Sequence, residues 1–228
     1  MTAGYISGGP EILHNCSIAV AAGEIATIVG PNGAGKSTAM KAMLGMLTLK
    51  HGLVLLNGED ITHLAPQDRV SRGLGFVPQS QNIFGSMTIE ENLEMGAFIR
   101  NDDIRETMAQ VFELFPALRD KRHQAASKLS GGQRQQLAVG RALMTEPRFL
   151  LLDEPTAGVS PVMMDNLFDR IVELAHRGLA ILIVEQNARR ALEIADKGYV
   201  LVQGTNAYSG RGADLLADRH VRQSFLGG

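Results

Sequence analysis

With 228 residues, the chain is long enough for one domain, or for one domain with an inserted subdomain. Hydrophobic residues make up 45% and charged residues 20%, an ordinary globular balance, and a net charge of −2 gives no sign of a nucleic-acid binder acting through bulk charge. The single cysteine, Cys16, excludes an internal disulfide and fits a reducing compartment; MTAGYISGGP is not a signal peptide, and the longest apolar runs fall far short of the roughly 18 residues of a membrane span.

In chain order, EIATIVG (24–30) predicts a buried strand that runs into the glycine-rich turn GPNGAGKS and then a helix over 36–47. GLVLLNG (52–58) and GLGFVPQ (73–79) predict two more buried strands. TIEE (88–91) is a capping-box start, with Thr88 as cap and Glu91 reaching back. DDIRETMAQVFELF (102–115) predicts a second helix, stopped by Pro116. Residues 131–144 and 161–178 read as amphipathic helices. FLLLDE (149–154), LAILIVE (179–185) and GYVLVQG (198–204) are strands, a polar helix opens after Gln186, and the last residues form a short helical tail. Strands alternating with helices predict an α/β fold with a largely parallel core. No strand pattern interrupts 85–128, which reads as an inserted helical subdomain.

Residues 30–37 match G-x-x-x-x-G-K-[ST] in full, between a strand and a helix. Gly30, Gly33 and Gly35 let the backbone wrap a phosphate, with Asn32 and Thr38 in the same cradle. The N–H groups of the turn and the helix N-terminus favour negative charge. Lys36 can reach β- and γ-phosphates, and the Ser37 hydroxyl can ligate Mg²⁺. In FLLLDEP the acids stand at the carboxyl edge of the sheet, where open α/β folds bind ligands. Asp153 is the candidate to hold magnesium and Glu154 the candidate to polarise the attacking water. LSGGQRQ (129–135) opens a helix with Ser130 and two glycines, a second anion-binding N-terminus. One chain needs one phosphate cradle, so the second points to a nucleotide sandwiched between two chains.

The phosphate loop with LSGGQ one helix ahead of LLLDEP resembles the ATP-binding cassette (ABC) ATPases, over nearly the whole chain. That resemblance implies a P-loop NTPase in one domain, 1–228, with 1–84 and 129–228 as a RecA-like α/β core and 85–128 as the helical subdomain. It implies ATP and Mg²⁺, with Gln79 in the Q-loop contacting the metal and the water and coupling to membrane domains. It places Tyr5 on the adenine ring and AGVSP (157–161) at the D-loop. Ser130, Gly131, Gly132 and Gln133 would act on the ATP of the opposite subunit. The surface around Phe84, Met87 and Ile89 is the candidate coupling patch.

The family usually carries a histidine just after the last catalytic strand. The six histidines here are 14, 51, 63, 123, 176 and 220, and none follows LAILIV. Gln186 holds that position and His176, before the strand, is expected to face solvent. A glutamine amide donates a hydrogen bond but carries neither proton nor charge. VEQNARRALEIADKGYVLVQG, RGLGFVPQ, MTIEENLEMGAF and VRQSFLGG resemble the LivF-like branch, the ATPases of branched-chain or hydrophobic amino-acid importers. This implies a peripheral protein at the cytoplasmic face of the inner (plasma) membrane. Its partners would be a second, LivG-like ATPase or another copy of itself, two integral membrane permeases and, indirectly, a solute-binding protein. An asymmetric pair tolerates one weakened site, which would account for Gln186; the alternative is a neutral substitution whose amide does the same job. Many members of the branch have Glu where Gln79 stands, and MTAG leaves almost no room for the family's first apolar strand. A urea or amide importer, another ABC transporter, or a soluble non-transport ABC ATPase are the alternatives.

Overall fold

The computed structural model describes residues 1–5 and 9–225. The chain opens with β1 (Thr2–Ala3) and β2 (Ile25–Val29), then α1 (Lys36–Met43), β3 (Leu49–His51), β4 (Leu55–Leu56), β5 (Glu59–Asp60), α2 (Pro66–Ser71) and β6 (Leu74–Val77). Three helices follow, α3 (Ile89–Gly96), α4 (Arg105–Leu114) and α5 (Pro116–Arg119), with a single 3₁₀ turn at Ala126–Lys128. The rest comprises α6 (Gly131–Leu143), β7 (Phe149–Asp153), α7 (Pro161–His176), β8 (Ala180–Val184), α8 (Ala188–Glu193), β9 (Lys197–Val202), β10 (Thr205–Gly210), α9 (Gly212–Ala217) and α10 (Arg219–Phe225).

Six strands form the central sheet, in the order β10-β9-β2-β8-β7-β6. All pairings are parallel except the β9–β10 hairpin at one edge. Every residue of β2 and β8 is buried, which is why both read as unbroken apolar runs: a strand covered on both faces has no polar side to show. One apolar cluster carries Val77, Leu150, Leu152 and Ile183 of the sheet continuously into Leu137 of α6 and on to Ile89, Leu93, Val111, Phe115 and Leu118. Helices α3 to α5 therefore share a core with the sheet through α6. Between 85 and 128 the described residues hold these helices and one isolated bridge, Thr88 to Ala125. The capping box at Thr88 is present, with Glu91 N–H donating to Thr88 Oγ1 at 3.1 Å and Thr88 N–H to Glu91 Oε2 at 2.7 Å.

Three local expectations give way. GLVLLNG is not a buried core strand: Asn57 and Gly58, with φ of 51° and 81°, form a tight two-residue turn that folds β4 back on β5. Leu53 and Leu55 stay about half exposed. Pro116 ends α4, but its fixed φ also starts α5, where it holds the first helical position. Gln203 and Gly204 leave the predicted 198–204 strand to turn the β9–β10 hairpin, both with positive φ. Ahead of Tyr5, β1 pairs with β3 as a two-residue antiparallel strand.

Beneath α1, Arg69 is almost fully buried and acts as a cap for that helix. Its guanidinium donates to the carbonyls of Ala42 (3.1 Å), Met43 (2.6 Å), Thr62 (2.7 Å) and Leu64 (3.0 Å). The last carbonyls of a helix have no partner within the helix, and here an arginine supplies one.

Candidate active site

Four parallel strands, β2, β6, β7 and β8, end at one edge of the sheet, and the loops leaving them carry the site. A cleft of about 900 Å³ opens instead beside Leu74, Phe149 and Ala180, where three strands begin, on the edge of the sheet opposite the loops that carry the site.

After β2 the backbone enters the phosphate loop through Gly30, at φ 149°. A Cβ there would stand 2.2 Å from the Leu201 carbonyl oxygen, so only glycine fits. Gly35 caps α1 in a left-handed conformation, with φ 99°, and a Cβ on it would meet Leu13 at 3.0 Å and Gly204 at 3.3 Å. The space beside Gly33 is open, with nothing within 4 Å of where its Cβ would be. Lys36, 7% exposed, donates from Nζ to the carbonyls of Gly30 (2.8 Å) and Pro31 (3.1 Å). Burial holds its pKa below the usual lysine value, and the charges of Glu154 and Asp153 oppose that shift. Ser37 and Asn32 are exposed and Thr38 is buried. The Thr38 hydroxyl donates to the Tyr5 hydroxyl at 3.4 Å, and Lys41 Nζ lies 5.2 Å from the Tyr5 ring, so Tyr5 stands beside the first turns of α1.

At the end of β7, Asp153 is partly buried, and its carboxyl pKa is raised by burial and then by the adjacent Glu154 charge. Glu154 leaves the strand at φ 44°, a left-handed conformation that costs a non-glycine residue on the order of 1 kcal/mol or more. Its N–H donates to the Val184 carbonyl of β8 at 2.8 Å, which holds the turn. The side chain is then met from two sides. Gln79, after β6, donates from Nε2 to Glu154 Oε2 at 2.6 Å. Gln186, after β8, donates from Nε2 to both oxygens at 3.0 Å. The structure thus brings Gln79, Glu154 and Gln186 into one hydrogen-bonded group, with Asp153 and Lys36 inside its electrostatic field. His176 is exposed at the end of α7.

The donor set suits both expected ligands. A loop of backbone N–H groups at a helix N-terminus with a buried lysine suits a polyphosphate. A hydroxyl, a carboxylate and an amide oxygen, from Ser37, Asp153 and Gln79, are hard ligands that suit Mg²⁺. Among the described residues no group of three or more His, Cys, Asp or Glu forms a metal cage, and magnesium bound with phosphates needs none.

Other expected residues stand apart from this group. Ser130 caps α6, with Gln133 N–H donating to its Oγ at 3.3 Å and Ser130 N–H to Gln133 Oε1 at 3.4 Å. Lys121 Nζ donates to the same Gln133 oxygen at 3.3 Å. A Cβ on Gly132 would press on Met163, within 3.0 Å, and one on Gly131 would lie 3.4 Å from the Gly158 oxygen. The signature residues therefore lean on the 157–161 loop and α7, and their recorded hydrogen bonds do not reach the phosphate loop. Ile89 is fully buried in the core and Met87 is half-buried, so the patch expected around Phe84, Met87 and Ile89 is not one surface. The exposed apolar side chains of this region are Phe84, Met95 and Phe98, with the Arg141 guanidinium 4.7 Å from the Phe84 ring centre.

One buried acid escaped the reading of the sequence. Glu185, 2% exposed, accepts from Thr156 N–H (3.0 Å) and Thr156 Oγ1 (2.8 Å) on Oε1, and from Gln186 N–H (3.1 Å) on Oε2. Burial pushes its pKa up and these hydrogen bonds pull it down. Its signal in the sequence was an acid closing a fully apolar strand.

The family described as ABC transporter matches residues 13–157. The high-affinity branched-chain amino acid transport ATP-binding protein BraG of Pseudomonas aeruginosa is 40% identical over 97% of this chain and 95% of its own. The probable branched-chain amino acid transport ATP-binding protein LivF of Archaeoglobus fulgidus is 40% identical, over 95% of this chain and 93% of its own. The lipopolysaccharide export system ATP-binding protein LptB of Escherichia coli is 35% identical, over 96% and 92%. Among solved structures, the ADP conformation of an ATP-binding cassette from an ABC transporter superposes with a TM-score of 0.89 at 30% identity, covering 100% of this chain and 96% of that one.

Proposed function

The chain belongs to the ABC transporter family, as an ATP-binding and ATP-hydrolysing subunit, and we propose that it powers an importer of branched-chain or other hydrophobic amino acids. The end-to-end identity with BraG supports the substrate class. The observation that carries the chemistry is the convergence of the Gln79 and Gln186 amides on Glu154, beside the Lys36 loop. The similarity to LptB favours a second reading, an ATPase of an export or lipid-transport system.

In this reading 1–84 and 129–228 form the RecA-like core and 85–128 the helical subdomain. The loop 30–38 binds the ATP phosphates, with Lys36 on the β- and γ-phosphates and Tyr5 against the adenine. Ser37, Asp153 and Gln79 would hold Mg²⁺, which neutralises phosphate charge when bound. Glu154 accepts a proton from the attacking water, and Gln79 and Gln186 orient it. Ser130, Gly131, Gly132 and Gln133 face the nucleotide of a second ATPase, LivG-like or another copy. Gln79 stands on the link from β6 to the helical segment, so movement of that segment reaches Glu154 through one hydrogen bond. The exposed Phe84, Met95 and Phe98 are the surface assigned to the two permease subunits.

Among the described residues no helix is long and apolar enough to cross a membrane, and the reading holds the protein at the cytoplasmic face through its permeases. A solute-binding protein would select the substrate.

The test is co-purification from native membranes through a tag on this chain. Two multi-span proteins and a second cassette ATPase with a histidine at the switch position are expected. Recovery with a lipid-export assembly would replace the importer reading, and recovery alone or with ribosomes would end it.

A further inference from the structure

We propose that Glu185 is a positioning residue for ATP hydrolysis: its buried carboxylate ties the turn after Glu154 to the turn that carries Gln186, and so sets the contact between those two side chains. The proposal rests on the reading of Glu154 as the carboxylate that activates water.

Glu185 is the first residue beyond β8, and its side chain turns into the protein. A buried carboxylate normally pairs with a cation. Among the described residues no lysine, arginine or histidine forms an ion pair with Glu185. Its oxygens are satisfied by the two turns instead. One accepts from the N–H and the hydroxyl of Thr156, and the other from the N–H of Gln186.

The placement of these contacts gives them their consequence. Thr156 lies two residues beyond Glu154, and Gln186 is the next residue after Glu185. The Glu154 N–H is already tied to the Val184 carbonyl at 2.8 Å. The Glu154–Gln186 contact is therefore spanned on one side by a backbone bond and on the other by the Glu185 carboxylate. A near-attack geometry is sensitive to displacements of about 1 Å. The chemistry of the linker is also restrictive. Only an ionised carboxylate of this length accepts hydrogen bonds at both ends. A glutamine would turn its NH₂ towards one of the two turns, leaving donor against donor. An alanine would leave both sets of N–H groups unpaired.

The experiment measures ATP hydrolysis by the transporter assembly co-purified with this chain, for wild type, Glu185→Gln, Thr156→Val, the double variant and Glu154→Gln. We expect Glu185→Gln to lower kcat about tenfold or more, with KM for ATP changed less than about threefold and Tm lowered by only a few degrees. Thr156→Val alone should lower kcat several-fold, and in the Glu185→Gln background by less than about twofold, because the two side chains act as one unit. A kcat within about twofold of wild type for Glu185→Gln, fully additive losses, or a KM that rises as far as kcat falls would overturn the proposal. Should Glu185→Gln fail to assemble, the same kcat-against-KM split in Thr156→Val decides. Glu154→Gln separates the underlying premise: if it retains wild-type turnover, the reading of Glu154 fails first, whatever Glu185 does.

Discussion

Gln186 donates its side-chain amide to both carboxylate oxygens of Glu154, at 3.0 Å each. The position where the resemblance to ABC ATPases implies a histidine is thus held by a neutral donor that touches Glu154, the carboxylate proposed to activate water. Replacement by histidine keeps a donor in place. We expect Gln186→His to change turnover in the assembled complex less than about tenfold, equivalent to under about 1.4 kcal/mol of barrier. Gln186→Leu keeps the bulk but removes the donor, and should cost more. Steady-state hydrolysis decides, and a loss of roughly a hundredfold or more in the histidine variant would refute the tolerated substitution.

Binding and turnover should separate at two other residues. Glu154→Gln leaves the phosphate loop intact, so ATP binding is retained while turnover falls by about a hundredfold or more. Lys36→Ala removes the cation from the loop and weakens nucleotide binding itself. Titration with a fluorescent ATP analogue, run beside phosphate release, distinguishes the two. Normal hydrolysis by Glu154→Gln would sink the assignment of the base.

Arg69 offers a test of stability away from the site. Arg69→Met fills much of the same volume but leaves the carbonyls of Met43, Thr62 and Leu64 without their donor, while Ala42 keeps the Gly45 N–H at 3.1 Å. A loss of about 3 kcal/mol or more in folding free energy is expected, since each unpaired buried acceptor costs on the order of 1 kcal/mol or more. Urea denaturation measures it, and a loss under about 1 kcal/mol would mean that water replaces the guanidinium.

A pH dependence follows from Glu24. The hydrogen bond from Lys197 Nζ (2.7 Å), then that from the Ala21 N–H (2.9 Å), holds its carboxyl below the usual value. A folded-state pKa lower than the unfolded one stabilises above the unfolded pKa, and that contribution is lost as pH falls through the folded pKa. Glu24→Gln should therefore lower Tm slightly at neutral pH, with the gap to wild type closing below about pH 4.3, the ordinary glutamate value. A gap that stays constant down to pH 3 would contradict it.

The legible parts of the sequence were those where one requirement dominated. EIATIV and AILIV are covered on both faces, and GPNGAGKS is bound by backbone geometry, so each has few ways to be written. Thr88 and Glu91 announced a helix start because a capping box needs only local atoms. GLVLLNG failed because apolar residues do not by themselves say whether a strand is in the core, and the Asn57-Gly58 turn was the stronger signal. The edge strand TNAYSG and the short helix PQDRVS were missed because both are largely exposed and carry no apolar period. Gln79, Glu154 and Gln186 were each assigned to the site, but their convergence on one carboxylate depends on strand order, which the sequence does not display. Glu185 was passed over because its partner, Thr156, lies 29 residues away in the chain.

The order of strands in the sheet also sets when this protein can become itself. The strand that delivers the phosphate loop, β2, has as its only neighbours β8 and β9, synthesised some 150 to 170 residues later. A ribosome therefore releases the loop long before the two strands that flank β2 exist. Contacts this distant in the chain close slowly, and the early apolar run waits exposed meanwhile. The strand that leads into the loop gains both of its flanking strands only once the chain has been made through β9.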